Sequence, residues 1–363
     1  MVYRAIGLMS GSSLDGLDIV FAEFQESAGK WTYQIQKAAC LPYEKEWMER
    51  LASAPALSAR DYLRLDADYG HYLGQLVNQF IEDNGLQFQV AVVASHGHTS
   101  FHQPPHYTAQ LGEGAAIAAE TGLPVVSDLR ALDVALGGQG APIVPIGERL
   151  LLPQHSLLLN IGGIANISVH TQENTLAFDI CPANRVLNHF AARLGMEFDK
   201  DGQAARQGQV QKELLQTLNA FDFYQQPPPK SLANEFGTET LVPLLEKSEL
   251  STNDILCTYV EHIAVQVKKS IMDHATWPTT GGSLLVTGGG AFNQFLIARL
   301  TDHLQPLGIT VTVPEANLVK YKEALIMALL GVLRWRDEYS TIPSATGAKR
   351  GSIGGALWNG QEE

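Results

Sequence analysis

Apolar residues follow two rhythms along this chain. Residues 3–9 form a strand-like run, closed by the polar turn Ser10-Gly11-Ser12-Ser13-Leu14-Asp15-Gly16, and residues 17–24 read as a returning strand. The pattern recurs later as the apolar run 156–161, the turn Gly162-Gly163-Ile164-Ala165-Asn166 and a second returning strand over 167–170. Two similar hairpins in two halves predict a duplicated domain. Between them, residues 62–81 carry Leu65, Tyr69, Leu73, Leu76 and Phe80 at helical spacing, with Asn84-Gly85 as the stop. Residues 90–94 are a short apolar strand, and Val125-Val126 begins another that runs into Asp128. Residues 321–335 read as a late helix with Lys322 and Glu323 in its first turn, and the Pro-rich stretch 225–230 as an ordered loop or lid. Strands alternating with helices predict an α/β architecture.

Composition narrows the class. The chain has 363 residues, and at roughly 150 residues per domain that predicts two domains. Hydrophobic residues make up 45% and charged residues 17%, which excludes general disorder and suits large buried cores. Lys plus Arg is 25 against 38 for Asp plus Glu, a net charge of -13 with no basic run, so nucleic acid and anionic membranes are poor partners. Cys40, Cys181 and Cys257 stand singly, which reads as a reducing, intracellular compartment. No stretch approaches the ~20 apolar residues of a membrane span, so a cytoplasmic protein is expected.

Several segments carry candidate chemistry. No GxxxxGK[ST] occurs, and a strand-turn-strand hairpin is not the strand-turn-helix of a dinucleotide fold. The first hairpin, Gly11-Ser12-Ser13-Leu14-Asp15-Gly16-Leu17-Asp18, instead offers backbone N–H groups to an anion, hydroxyls as donors, and carboxylates for a metal or its waters. A plain Gly/Asp turn is the competing reading. The second hairpin repeats the cradle at Gly162 and Gly163, and two such hairpins facing each other can grip a triphosphate. Gly288-Gly289-Gly290, followed by Asn293, comes between an apolar strand and a helix and suits a flat nucleoside lying on backbone. Asp179 ends a strand just before Pro182, expected at the start of a helix through Val186, Leu187, Phe190 and Leu194. There it reads as a helix cap, or as a general base whose pKa the helix dipole lowers. Ser95-His96-Gly97-His98-Thr99, with His102 and His106, offers hydrogen bonds to a polar ligand, or less readily a zinc site. Arg130, near Asp128 and Asp133, can fork onto a ligand carboxylate or form a surface ion pair.

Taken in order, GLMSGSSLDGLD, SHGHT, DLR with GGQGAP, LNIGGIAN, FDICPAN, DKDGQ, PPKS, TGGGAFN, Lys322-Glu323 and ATGAKRGSIG resemble the anhydro-N-acetylmuramic acid kinase family nearly end to end. The resemblance implies a two-domain actin-like ATPase fold, with duplicated ribonuclease H-like domains and an interdomain cleft. It implies lobes at 1–130 with about 350–363, and at about 131–349. The implied reaction takes 1,6-anhydro-N-acetylmuramic acid, ATP and water to N-acetylmuramic acid 6-phosphate and ADP, in peptidoglycan recycling. By motif, Asp179 is the implied base, and Gly11 through Asp18 with Gly162 and Gly163 hold the phosphates of ATP and Mg²⁺, the ion through Asp15 or Asp18. Gly288, Gly289, Gly290 and Asn293 are implied to face the nucleoside. Ser95, His96, Gly97, Thr99, Arg130 and Glu323 are implied to line the sugar pocket, with Arg130 addressing the lactyl carboxylate. Small molecules are the implied partners, with a homodimer left open.

The chain also departs from the family pattern. The family's SGTS is Ser10-Gly11-Ser12-Ser13 here, and DTGPGN is Asp179-Ile180-Cys181-Pro182-Ala183-Asn184, which places Cβ atoms where backbone is expected to approach phosphate. The Gln after SHG is His98, DFR is Asp128-Leu129-Arg130, and TGRE is Leu232-Ala233-Asn234-Glu235. The changes at Cys181 and Ala183 motivate one rival, a non-catalytic sugar or nucleotide sensor of the same fold, against which the retained Asp179 argues. A second rival is a metal-dependent hydrolase built on the cluster from His96 to His106.

Overall fold

A computed structural model of the chain describes residues 1–11, 14–228, 230–233, 235–274 and 282–360. Its strands are β1 (Val2–Ser10), β2 (Gly16–Ser27), β3 (Lys30–Pro42), β4 (Val92–Ser95), β5 (His98–Gln103), β6 (Tyr107–Leu111), β7 (Val125–Ser127), β8 (Leu157–Ile161), β9 (Ile164–His170), β10 (Thr175–Pro182), β11 (Gly282–Thr287), β12 (Ile309–Thr312) and β13 (Ala356–Trp358). The chain divides into two compact units: Met1–Pro153 with Tyr321–Glu363, and Gln154–Lys320. The lobes expected from the resemblance are bounded elsewhere, since residues 131–153 and 321–349 pack with the first unit.

The strand order of the two units is the same. In the first, β3-β2-β1 are antiparallel neighbours, β4 joins β1 in parallel, β7 joins β4 in parallel, and β13 adds an antiparallel edge. In the second, β10-β9-β8 are antiparallel, β11 joins β8 in parallel, and β12 joins β11 in parallel. This is the duplicated α/β architecture that the paired hairpins predict, in the order that the resemblance implies. β1-β2 and β8-β9 are those hairpins, and each first strand is central because its alternate residues are buried on both faces. Each unit has its own core: Ile6, Leu8, Ile19, Phe21, Tyr69 and Leu73 in the first, and Leu159, Phe178, Phe190, Tyr259, Ile263 and Val286 in the second.

Helices follow their sequence signals. Ala59–Asn84 starts at Ser58, whose Oγ accepts the Asp61 N–H at 3.2 Å, and stops at Gly85 with φ 64°. The late helix is Ala316–Trp335, with Tyr321 out of helical geometry. From Tyr321 onward it belongs to the first unit, because small residues let it lie close on that sheet. A Cβ on Gly7 would stand 1.9 Å from the Ala324 carbonyl oxygen, and one on Gly331 would stand 2.7 Å from the Ala94 Cβ. Glu323 is thereby set in the same unit as the first hairpin.

Several boundaries and elements differ from the expectation. The second turn is shorter than predicted, as β9 already begins at Ile164 and takes in Ala165 and Asn166. Pro182 closes β10 rather than opening the next helix, which runs Asn184–Ala192 and leaves Leu194 outside it, 43% exposed. A bulge between Asp179 and Cys181 prolongs the strand. The edge strand β3 and the hairpin β5-β6 were not anticipated: β3 does carry the alternating apolar positions Trp31, Tyr33 and Ile35, whereas β5 and β6 are mostly polar.

Candidate active site

In the first unit the hairpin register sets Asp18 opposite Met9 on one side and Cys40 on the other. Burial pushes its carboxyl up to about 6, with the nearby charges of Asp15 and Glu323 adding to the rise. Between the strands, Leu14 has φ 58° and donates its N–H to the Gly11 carbonyl at 3.4 Å. Ser12 and Ser13, expected at the phosphates, lie outside the described residues. Gly16 is required by packing, since a Cβ there would stand 2.5 Å from the Leu41 carbonyl oxygen, and Leu17 belongs to the core. Ser10 anchors the hairpin from below: the Tyr43 hydroxyl donates to its Oγ at 2.9 Å, Tyr69 lies 2.6 Å from Tyr43, and His98 Nδ1 lies 3.2 Å from Ser10. The family's Gln position thus holds a histidine that touches the hairpin.

His96 and Arg130 form one piece. Arg130 donates from Nε to His96 Nε2 at 2.8 Å and from Nη1 to the Gly140 carbonyl at 2.6 Å. Because a guanidinium only donates and a carbonyl only accepts, His96 must be neutral, with its proton on Nδ1 facing the Gly97 carbonyl at 2.9 Å. Burial, with the Arg130 charge, holds its pKa down to about 3. Arg130 itself is lowered to about 10 by burial against the opposing pull of Glu323 and Asp133, so it stays cationic. Asp133 is buried and braces the turn, accepting from the Gly140 N–H at 2.8 Å and the Thr346 hydroxyl at 2.8 Å. The Glu323 carboxyl is raised by burial, with Lys322 and Arg130 opposing, and Lys322 is paired with the buried Glu148.

An open cavity of about 200 Å³ is lined by Ser95, His96 and Gly97 together with Asp66, Gln110 and Ser127. Ser95 Oγ is committed to the Gly97 N–H at 3.1 Å, and Gly97 has φ 71° with the Leu111 carbonyl close by. Thr99 is exposed on β5 outside this lining, within 3.4 Å of Gln110 Nε2. Among the described residues no group of three or more His, Cys, Asp and Glu could hold a metal ion. Both ring nitrogens of His96, and Nδ1 of His98 and of His102, have protein partners instead, the last through Thr108 at 3.0 Å. Among the described residues the hydrolase rival therefore has no ligand set.

The second unit gathers Asp179, the second hairpin and the triple glycine. Asp179 is not a helix cap. Its Oδ2 accepts the Leu232 N–H at 2.8 Å, its own N–H donates to the Lys230 carbonyl at 3.0 Å, and Oδ1 accepts nothing among the described residues. Lys230, the last residue of the stretch read as an ordered loop or lid, and Leu232 just beyond it thus supply the strap that holds Asp179. Burial raises the carboxyl pKa, with the Leu232 N–H opposing. This corrects the expected lowering by a helix dipole, because the helix starts only at Asn184 and desolvation dominates. Ile180, Cys181 and Ala183 are buried in the core, so their Cβ atoms do not stand in the way of a ligand. The departures that motivated a sensor are core substitutions.

Glycines in this unit sort into two kinds. Gly288 has φ 79°, and a Cβ on it would stand 2.6 Å from Asn160 Oδ1, while one on Gly290 would stand 2.2 Å from Ile161 Cγ2. Those two are demanded by the fold, and they press the triple glycine onto the second hairpin. At Gly162, Gly163 and Gly289 nothing would approach a Cβ closer than 3.5 Å, and none has a positive φ. The fold does not require glycine there, which leaves room for a ligand as the reason. Asn184 ties the pieces together by donating from Nδ2 to the Ile161 carbonyl at 3.0 Å. Asn293, expected at the nucleoside, caps the helix Gln294–Leu304 through Oδ1 and the Leu296 N–H at 3.0 Å. Asp199 of DKDGQ accepts the Ala204 and Ala205 N–H groups, both at 2.9 Å, and the turn sets Gly202 against Asn293.

Sequence reading missed Tyr43, Lys230 and Arg185. Tyr43 acts through a single hydroxyl, and Lys230, although it stands in PPKS, acts through its backbone carbonyl, so neither role leaves a pattern. Arg185 had a signal, a cation directly after FDICPAN.

Comparison with known proteins agrees with these motifs. A family model described as anhydro-N-acetylmuramic acid kinase matches residues 3–360. A protein of that name from Vibrio parahaemolyticus is 33% identical over 98% of this chain and 98% of its own. Another from Gloeobacter violaceus is 34% identical, covering 95% of this chain and 96% of its own, and one from Shewanella amazonensis is 33% identical over 97% of each.

Proposed function

This chain belongs to the anhydro-N-acetylmuramic acid kinase family, and we propose that it opens the 1,6-anhydro ring of N-acetylmuramic acid with water while moving the γ-phosphoryl group of ATP to O6. The observation that carries this reading is Asp179. Its carboxylate is partly desolvated, fixed at Oδ2 by one N–H and, among the described residues, free at Oδ1, which suits a base that must take a proton from water without wandering. In the balanced step, water adds to C1, its proton passes to Asp179, and the C1–O6 bond breaks. The released O6 attacks the γ-phosphorus as the bond to the β-phosphate oxygen breaks, giving N-acetylmuramic acid 6-phosphate and ADP.

Each remaining residue has work that its chemistry allows. Arg130, fixed at Nε by neutral His96 and at Nη1 by Gly140, keeps its Nη2 edge for the lactyl carboxylate of the sugar. Glu323 and the Ser95–Thr99 turn complete the sugar side in the first unit. Gly162, Gly163 and Gly289 offer uncrowded backbone to the nucleotide in the second, with Gly288 and Gly290 shaping that surface. Mg²⁺, which neutralises phosphate charge when bound, suits Asp15 or Asp18: it takes one or two carboxylates with water and phosphate oxygens rather than a protein cage. The product places the enzyme in cell-wall recycling. Mixing the protein with the anhydro sugar and ATP should release ADP only when the sugar is present. Sugar-independent ADP release, or none at all, would contradict the assignment.

A further inference from the structure

We infer that Arg185 is a phosphate-binding residue of the second hairpin, addressing the polyphosphate of the nucleotide; this rests on the kinase reading above and adds a residue to it. Arg185 is the second residue of the helix Asn184–Ala192, and its guanidinium lies against Gly163. Nε and Nη2 stand 3.6 and 3.7 Å from the point that a Cβ on Gly163 would occupy. Nε is buried without a hydrogen-bond partner, and among the described residues no carboxylate pairs with this cation. A buried donor left unmade is costly, the more so on a charged group, so such an atom calls for a partner that binds from outside.

The hairpin beside it is arranged to admit that partner. Carbonyls of Gly162 and Gly163 accept the N–H groups of Asn184 and Ala183 at 3.1 and 2.8 Å, so they are turned toward the helix. The Gly162 N–H closes the turn onto the Ile164 carbonyl at 3.3 Å, whereas the Gly163 N–H has no partner among the described residues. An unpaired N–H, an unpaired guanidinium edge and a glycine that the fold does not need therefore converge at position 163. A backbone N–H with a forked cation suits a phosphate group.

The test is calorimetric titration of the full-length protein with ATP, ADP, adenosine and N-acetylmuramic acid 6-phosphate. Charge-assisted hydrogen bonds predict that Arg185→Leu weakens ATP and ADP by about 10- to 100-fold while adenosine binds as before. Arg185→Lys, which keeps the charge and loses the fork, should fall between, and the KM of the sugar should not move. Unchanged ATP affinity in Arg185→Leu would overturn the inference while leaving the kinase reading intact, and so would an equal loss for adenosine or a loss confined to the sugar phosphate. Failure of the unsubstituted protein to bind ATP would overturn both. If Arg185→Leu does not fold, Arg185→Gln replaces it, and loss of folding in both would assign the guanidinium to packing and overturn the inference.

Discussion

Asp179 is a carboxylate whose surroundings withhold water more than they supply charge. Burial raises its pKa and the single Leu232 N–H only partly offsets that. The sign for stability follows: a carboxyl with a raised pKa in the folded state favours its neutral form, so its ionisation destabilises the fold as pH rises through that pKa. Asp179→Asn removes the ionisation and keeps an acceptor for Leu232. Its Tm should therefore equal or exceed that of the parent at neutral pH, with the gap closing in acid, while kcat falls at least about 100-fold. A variant that melts lower at every pH would assign Asp179 to structure. For the parent enzyme, the acid limb of kcat/KM should lie above the ordinary carboxylate range, because activity is lost as Asp179 takes up its proton. A limb within the ordinary range would mean that another group, or a differently solvated Asp179, sets the profile.

Elements divide into those that the sequence spells out and those that only the assembled sheet defines. Strands β1, β2, β8 and β11 were legible as short, nearly continuous apolar runs and the helix Ala59–Asn84 by its helical period, and turn residues close them. β3 was missed although Trp31, Tyr33 and Ile35 alternate with polar residues along it, because the alternation breaks at Lys37 and an edge strand keeps most of its residues partly open to water. Pro182 misled because proline suits both a first helical turn and a strand end, and the bulge after Asp179 decided between them. The site was legible as a set of motifs, whereas the division of its glycines was not. Crowding separates Gly288 and Gly290 from Gly162, Gly163 and Gly289, and crowding is a property of neighbours distant in sequence. The closest such contact is at Gly7, where the helix Ala316–Trp335 crosses β1 at the backbone. Gly7→Ala should cost about 1–3 kcal/mol or more from overpacking, read as a lower midpoint in urea denaturation. An unchanged midpoint would mean that helix and sheet can part at no cost.

On the scale of the molecule, two units repeat one strand order around separate cores, and they share out the proposed chemistry. The first hairpin, His96, Arg130 and Glu323 fall in one unit, and Asp179, Arg185 and the nucleotide glycines fall in the other. Among the described residues no helix is long and apolar enough to cross a membrane. Duplication was visible as two glycine hairpins, while the unit boundary was not: the chain returns to the first unit inside a continuous helix, at Tyr321, where composition does not change.

The central claim is that water enters at the sugar carbon while phosphate goes to O6, and oxygen-18 water tests it directly. The enzyme, the anhydro sugar and ATP are mixed in labelled water, quenched quickly, and the products weighed by mass spectrometry. The account predicts heavy oxygen on C1 of the phosphorylated sugar and none in its phosphate. Heavy oxygen in phosphate, or a sugar product without label at C1, would contradict it.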